Sequence, residues 1–579
     1  MIPPRFTHLG ELLEHRATRQ PDSLALGFLD DGILPGSSLT YAQLANQAAE
    51  LSGRLQSSAG PGTRALLLLP AGLDFVVAFF ACLQAGIIAV PVPAPHPARL
   101  TKAIGRLQAI AADAGATVII SDASLRLAGD VLCDQYPALR RAQWIDLNGS
   151  DEEQYKDYSP ASFLKYDTAL LQYTSGSTSD PRGVIVTHEN LLSNLEAIEK
   201  RVTNHESSVS VSWLPHFHDM GLVGGILQPI YGGHPGWLMS PATFLHRPAR
   251  WLEAITSLRA TFSGGPDFAY DLCVRRISLE QRASLDLSSW EYAFNGSEPV
   301  RQKTMIEFSQ TFEDSGFHHG AWRPVYGLAE ATLMVAGGSA GSSYSSRQLA
   351  AEALEDHRVE ECLDDERGVT SVSCGPPIES TKVLAVHPET HTVCPPGEVG
   401  ELWVRGPGVA RGYWGKTNSE TSVFEKKLLG AFNRSFLRTG DLGFVADGEI
   451  HVTGRMKDLI IIRGRKLYPQ DIELTVETCH SMIRPHACAA FSIIDEGVES
   501  VAVAVEIERA AASDDSVFQK EVTNAIRQAV SETHEVGLAK LTLLRPGSLP
   551  RTTSGKIRRS ALKTRLAPSK EIISVSGAL

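Results

Sequence analysis

Between Thr174 and Gly183 the chain reads TSGSTSDPRG. Thr174, Ser175, Ser177, Thr178 and Ser179 offer hydroxyl donors, Gly176 and Gly183 permit positive φ, and Arg182 adds a fixed charge. Successive N–H groups in such a run can converge on an anion, so the chemistry it suits is phosphate binding. The Walker-type loop is excluded, because position 181 is Pro and no Lys-Ser/Thr follows Gly183. A Ser/Gly-rich run taken alone is more often an ordinary surface loop.

Other residues could do chemistry. PRTTSGKIRR, Pro550 to Arg559, sets Lys556 after a glycine at a loop tip, where it is either a reactive ammonium or a solvated lysine in a basic tail. Glu330 is a hard oxygen donor suited to a divalent cation, or an exposed glutamate at a helix start. Read alone, Asp441 is a turn aspartate before Gly443 and Arg455 a surface arginine. The H-x-H-D run of His216, His218 and Asp219 lacks a secure zinc spacing. None of the eight cysteines forms a C-x-x-C pair, which fits reduced thiols in a cytoplasmic protein.

These residues need elements to hold them. TALLQYT, before the hydroxyl run, has the pattern of a buried strand, and HENLLSNLEAIEKR, after it, spaces Leu191, Leu192, Leu195 and Ile198 helically. From about Leu39 to Leu333 further strand-like runs (RALLLL, TVIIS, SVSVSWLP) alternate with helical patterns, which predicts α/β layers. Leu66 to Pro93 is strongly apolar, but a membrane span needs about 20 unbroken apolar residues. Pro70, Asp74, Gln84 and Pro91 interrupt it, so it reads as strand, turn, buried helix, strand, with no membrane span. Gly337–Gly368 begins small and polar and continues acidic and helix-prone, as an insertion or a mobile surface element would. β-rich pieces follow, then a small α+β region with a helix near Ser516–Glu532 and Pro469 in a first helical turn. The net charge of −12 argues against a general nucleic-acid binder, since that needs a basic face, but permits binding a single nucleotide.

TSGSTSDPRG resembles the phosphate loop of the adenylate-forming superfamily, which includes acyl-CoA synthetases, peptide-synthetase adenylation domains and luciferases; Arg182 stands where that family usually has Lys. YGLAE from Tyr326, RTGD from Arg438, GRMKDLIIIRG from Gly454 and the Lys556 segment resemble further motifs of the family, in its order. The resemblance implies an α/β fold with a large multi-layer N-terminal domain over 1–455, made of two α/β sheet subdomains plus a β-rich subdomain. A hinge at 456–458 and a small mobile α+β C-terminal lid over 459–579 would follow. It implies ATP and Mg²⁺, with Lys556 catalytic, Lys457 at the hinge and Glu330 on the metal. Thr174, Ser175, Gly176, Ser177, Thr178, Arg182 and Gly183 would form the phosphate loop, and Asn295, Gly296, Ser297, Tyr326, Gly327, Asp441 and Arg455 would surround adenine and ribose.

SWLPHFHDMGLVGGILQPIYGG, FSGGPDFAYDLC and YGLAEATL are similar to fatty acyl-AMP ligases, a branch that passes the acyl group to a carrier protein rather than to coenzyme A. His218 and Gly265 then belong to the acyl pocket and its gate. The expected partners are a medium- or long-chain fatty acid and the phosphopantetheine thiol of a holo acyl-carrier protein of a polyketide or peptide synthase. No carrier-sized segment follows Lys556, so the carrier is expected in trans. The alternatives are a long-chain acyl-CoA ligase, an amino-acid activator of the peptide-synthetase type, and a catalytically silent nucleotide or acyl sensor.

Overall fold

The computed structural model describes residues 6–32, 35–95, 100–132, 136–147, 164–174, 181–205, 207–362, 368–416, 422–429, 434–462, 464–495, 498–508, 516–552 and 555–566. The apolar segment expected to run strand, turn, helix, strand does so: Arg64–Leu68, Leu73–Ala85 and Ile88–Pro91. Every residue of that helix except Asp74 is buried, because it lies in the core between layers. No helix among the described residues is long and apolar enough to cross a membrane.

Two large sheets carry the first part of the chain. One has six strands, ordered Gln143–Asp146, Val118–Ser121, Arg64–Leu68, Ile88–Pro91, Thr168–Thr174 and Arg182–Thr187. It is parallel except for its last pair, a hairpin in which Thr174 lies opposite Arg182. The other has eight strands, with Trp322–Gly327, Tyr292–Asn295, Phe262–Gly265 and Ser210–Ser212 adjacent and parallel near its middle. The helix His188–Val202 starts where Thr187 caps it reciprocally with Asn190 and buries Leu191, Leu195 and Ile198, the periodic residues of its sequence; Leu192 is half-buried.

A five-stranded antiparallel sheet follows, including Gly400–Arg405, Ser435–Ala446 and Glu449–Arg455. Beyond it, Ile483–Asp495, Val498–Ile507 and Leu538–Leu544 form a three-stranded sheet covered by the helices Pro469–Thr478 and Ser516–His534. Their core, from Ile460 to Leu543, draws its buried residues only from this part of the chain, which is the mark of a separately packed unit. Pro469 occupies the first helical position.

The Gly337–Gly368 stretch departs from expectation. Its described helix is Ala351–Glu355, and after a turn residues 358–361 run extended, bridging Leu349 to Glu361 and Arg358 to Glu398. Charge pairing explains the change, since Arg347 holds Glu361 and Asp447. Ser346–Ala350 pairs antiparallel with Gly368–Val372, and Leu349 and Leu354 are buried against Val399, Leu442, Phe444 and Tyr468. The described part of this stretch is therefore packed, not a loose surface element.

Candidate active site

A cavity of about 1830 Å³ opens where the two large sheets, the five-stranded sheet and the C-terminal unit meet. Thr174, Arg182, His218, Ser297, Tyr326, Gly327, Glu330, Asp441, Arg455, Lys457 and Lys556 all line it. Residues far apart in sequence thus face one space. Gly183, Gly265, Asn295 and Gly296 do not line it. Ser175, Gly176, Ser177 and Thr178 lie outside the described residues.

The four that stand back pack behind the wall. Asn295 is fully buried and donates its amide to Asp267 at 2.9 Å, so that amide serves the helix beginning at Asp267 rather than the cavity. A Cβ on Gly265 would come within 2.6 Å of the Trp213 ring, and one on Gly296 within 2.7 Å of the Val325 carbonyl. Both glycines are present because a neighbour approaches closely. Ser297 takes φ 73° and Thr332 takes φ 71°. Such a conformation is costly for a β-branched residue, and it flanks the site. Thr332 is held there by its hydroxyl, which donates to the Gly408 carbonyl at 2.6 Å.

Asp441 is held through both of its oxygens. Tyr326 donates its hydroxyl to one oxygen at 2.8 Å, and Arg455 donates Nε–H to the other at 3.0 Å. Glu330 accepts from the Tyr413 hydroxyl at 2.8 Å, and the Arg182 guanidinium lies over the Tyr413 ring, 5.5 Å from its centroid. Tyr413 sits beside the hydroxyl-rich hairpin because residues 411–414 bond to its second strand: Trp414 N–H donates to Gly183 O, and Ile185 N–H to Gly412 O.

Lys556 enters on a tight loop in which Thr552 N–H donates to the Lys556 carbonyl at 2.7 Å and Gly555 takes φ 89°. Burial and the nearby Arg455 charge lower its pKa, while Asp219, Glu298 and Asp441 oppose that shift. Burial pushes the Asp219 carboxyl up, but His218, 2.5 Å away, and the Lys556 charge outweigh it and hold the carboxyl below its ordinary value. The ammonium thus faces a fixed anion on the opposite wall. The Gln172 amide donates to the Phe217 carbonyl at 2.8 Å and ties the strand Thr168–Thr174 to this wall.

Asp219, Glu298 and Tyr413 belong to the site but carry no reading as site residues from sequence. Asp219 was legible only as part of a zinc-like run. That run makes no metal centre, since His216 donates Nε2–H to the Leu69 carbonyl at 3.1 Å and packs on Phe75. Among the described residues no group of three or more His, Cys, Asp or Glu is placed to hold a metal ion. A single carboxylate such as Glu330 nevertheless suits Mg²⁺ carried in on phosphates, which usually takes one or two protein carboxylates.

One end of the cavity is apolar. Phe262, Tyr292, Phe294 and Val325 share one face of the eight-stranded sheet, Met334 lies on its edge strand, and Met220, Gly224 and Leu333 complete the lining. A Cβ on Gly224 would find its nearest neighbour at 3.6 Å, so this glycine leaves the space open. The arrangement suits an amphiphile with its polar end at Lys556 and its tail among these side chains.

Comparison with known proteins agrees with this geometry. Residues 13–414 match the family model described as AMP-binding enzyme, and residues 457–571 match one described as Disco-interacting protein 2-like, AMP domain. The medium-chain-fatty-acid–[acyl-carrier-protein] ligase JamA of Moorena producens is 43% identical over 98% of this chain and 96% of its own. The long-chain-fatty-acid–AMP ligase FadD26 of Mycobacterium tuberculosis is 37% identical over 95% of each chain. The crystal structure of a fatty acid AMP ligase from Legionella pneumophila superposes with a TM-score of 0.75 at 40% identity, covering 97% of this chain and 96% of the other.

Proposed function

The chain belongs to the AMP-binding enzyme family and is an AMP-forming ligase, and from that premise we propose that it is a fatty acyl-AMP ligase. It joins a medium- or long-chain fatty acid to ATP, giving the acyl-adenylate and pyrophosphate. It then passes the acyl group to the phosphopantetheine thiol of an acyl-carrier protein of a polyketide or peptide pathway, in the cytoplasm. The observation that carries this reading is the apolar arm ending at Lys556, in the cavity that also holds Asp441 and Glu330.

One carboxylate oxygen of the acid attacks the α-phosphorus, and the bond to the α,β-bridging oxygen breaks with its electron pair leaving on pyrophosphate. Two anions must meet, so the protein has to supply positive charge in a water-poor space. Lys556 bridges the carboxylate and the α-phosphate oxygens as charge spreads over them. Thr174 and Arg182 hold the outer phosphates, with the rest of the phosphate loop. Tyr326, Gly327 and Ser297 border the adenine. Each oxygen of Asp441 keeps a lone pair for a ribose hydroxyl beside its bond from Tyr326 or Arg455. Glu330 would hold Mg²⁺, which neutralises phosphate charge when bound. His218 stands at the mouth of the acyl arm, with Gly265 behind its wall.

We place the division between the large unit and the lid at 456–458, with Lys457 as hinge. The separate core beyond Ile460 supports it. Rotation there would withdraw Lys556 after adenylation and bring another face of the lid to the acyl-adenylate.

The test is mass spectrometry of the products from a fatty-acid panel, with and without coenzyme A and a holo-carrier protein. Acyl-adenylate and acyl-carrier are expected, and abundant acyl-coenzyme A would overturn the choice of acceptor. A Lys556→Ala variant should release pyrophosphate on the order of 10³-fold more slowly. Undiminished release would overturn the assignment of that lysine.

A further inference from the structure

The arginines of the cavity divide into two groups. Arg301, Arg438, Arg455, Arg465 and Arg559 each reach a carboxylate, namely Glu477, Glu401, Asp441, Glu355 and Glu473. Arg551 donates instead to the Gly555 and His486 carbonyls. Arg106, Arg182 and Arg558 line the same cavity, and among the described residues none of the three reaches a carboxylate. Arg106 stands on the helix Leu100–Ala114 of the large unit, and Arg558 two residues after Lys556 on the C-terminal unit. Both line the one cavity from the two sides of the seam, and the Arg558 charge, after burial, is a cause of the lowered Arg106 pKa, so the two like charges oppose each other.

Like charges facing each other without an anion between them oppose the closed arrangement. In a chain of net charge −12 a carboxylate partner would be easy to supply, and Arg301 and Arg465, which also stand at the seam, each have one across it. The missing partner is therefore a ligand. A guanidinium fork matches phosphate oxygens in pairs, which sets its chemical class. Arg182 helps fix the place: it opens the strand Arg182–Thr187, against which the helix of Arg106 packs, so the anion belongs beside the phosphate hairpin.

We propose that Arg106 and Arg558 form a phosphate subsite that grips the β- and γ-phosphates of ATP and the pyrophosphate they become, one guanidinium from each side of the domain seam. The subsite rests on the ligase reading above and extends it to residues outside the motifs. The electron pair of the broken α,β bond leaves on this anion, so the subsite stabilises charge that grows during the reaction. The phosphate of a phosphopantetheine arm has the same chemistry, but it arrives after pyrophosphate has left and with the lid turned.

The test is calorimetric titration of the full chain with magnesium pyrophosphate, and separately with pantetheine 4′-phosphate, for wild type, Arg106→Gln, Arg558→Gln and both lysine variants. Affinity for pyrophosphate should fall about tenfold in each glutamine variant, and the lysine variants should recover part of it. Affinity for a non-hydrolysable acyl-adenylate, which lacks the outer phosphates, should stay within about twofold. Unchanged pyrophosphate affinity in both glutamine variants overturns the subsite. So does a loss of adenylate-analogue affinity as large as the loss for pyrophosphate, which would mark a structural role. A selective loss for pantetheine 4′-phosphate would reassign the anion and overturn the proposal as stated. Should wild type bind pyrophosphate through these arginines while no fatty acid yields an adenylate, the ligase reading fails and the subsite stands.

Discussion

At the scale of single residues, the cavity is organised by bonds between its carboxylates and groups that come from elsewhere in the chain. Tyr413 shows what such a bond does. Its hydroxyl fixes one oxygen of Glu330, while its ring carries the Arg182 guanidinium, so one side chain orients both the carboxylate and the cation to which the proposed mechanism gives the phosphates. Tyr413→Phe keeps the ring and loses the hydroxyl. The expected result is a drop in turnover of about tenfold, as for a hydrogen bond to a charged group. The loss should be largest at low Mg²⁺, with the KM for fatty acid unchanged; equal losses at all Mg²⁺ concentrations would argue against it. Tyr413 also marks the limit of reading the sequence. Lys556, Glu330, Asp441, Arg455, Tyr326 and His218 each sit in a short motif, and all six face one cavity. Tyr413, Asp219 and Glu298 join it only because a sheet edge or a loop is brought alongside, and no local pattern announces such an approach.

At the scale of elements, the strand period builds the apolar arm. Phe262 pairs with Tyr292, and Gly264 with Phe294, so aromatic rings from alternate positions project to one face, and the glycine makes room for the Phe294 ring. Opposite them, Met220–Leu227 winds as a π-helix, whose wider turn sets Gly224 toward the arm. GLVGGIL was legible as part of a segment similar to fatty acyl-AMP ligases, but the wide turn was not, because no spacing rule distinguishes it from an ordinary helix. Gly224→Leu fills open space rather than a packed core, and the fold should tolerate it. The expected outcome is loss of activity with long acids by tenfold or more, on the order of several methylene contacts, with octanoate retained. Equal activity across the panel would place the acyl tail elsewhere. The Gly337–Gly368 stretch makes the complementary point. Its acidic half has helical propensity, yet the ion pair of Glu361 with Arg347 and a bridge from Arg358 to Glu398 hold residues 358–361 in extended chain.

At the scale of the whole molecule, the question is what holds the C-terminal unit against the large one. Arg301 reaches Glu477 at 2.8 Å, and Arg465 grips Glu355 with two bonds at 2.7 and 2.9 Å, joining the helix Ala351–Glu355 to the strand Arg465–Leu467. Against these bonds stands Asp471, on the first turn of Pro469–Thr478. Burial, then the charges of Glu473 and Glu355, raise its pKa from 3.8 to about 7. A folded-state value above the unfolded one means the carboxyl favours the fold most when protonated. That contribution is complete below about pH 3.8 and is lost as the pH climbs to about 7. Near neutrality the docked arrangement therefore carries a half-ionised carboxyl beside Glu355, and its seam is weaker than the two arginine clasps alone would make it. Asp471→Asn has the shape of the protonated acid and does not ionise. Its unfolding midpoint should match wild type near pH 4 and rise above it progressively to pH 7, then hold constant. The difference is worth at most about 4 kcal/mol for a shift of this size. The same variant should resist proteolytic cutting between residues 456 and 468 at pH 8, where wild type carries the charge, because cutting there requires the seam to open. A midpoint difference that does not change with pH would show that Asp471 does not act through its charge.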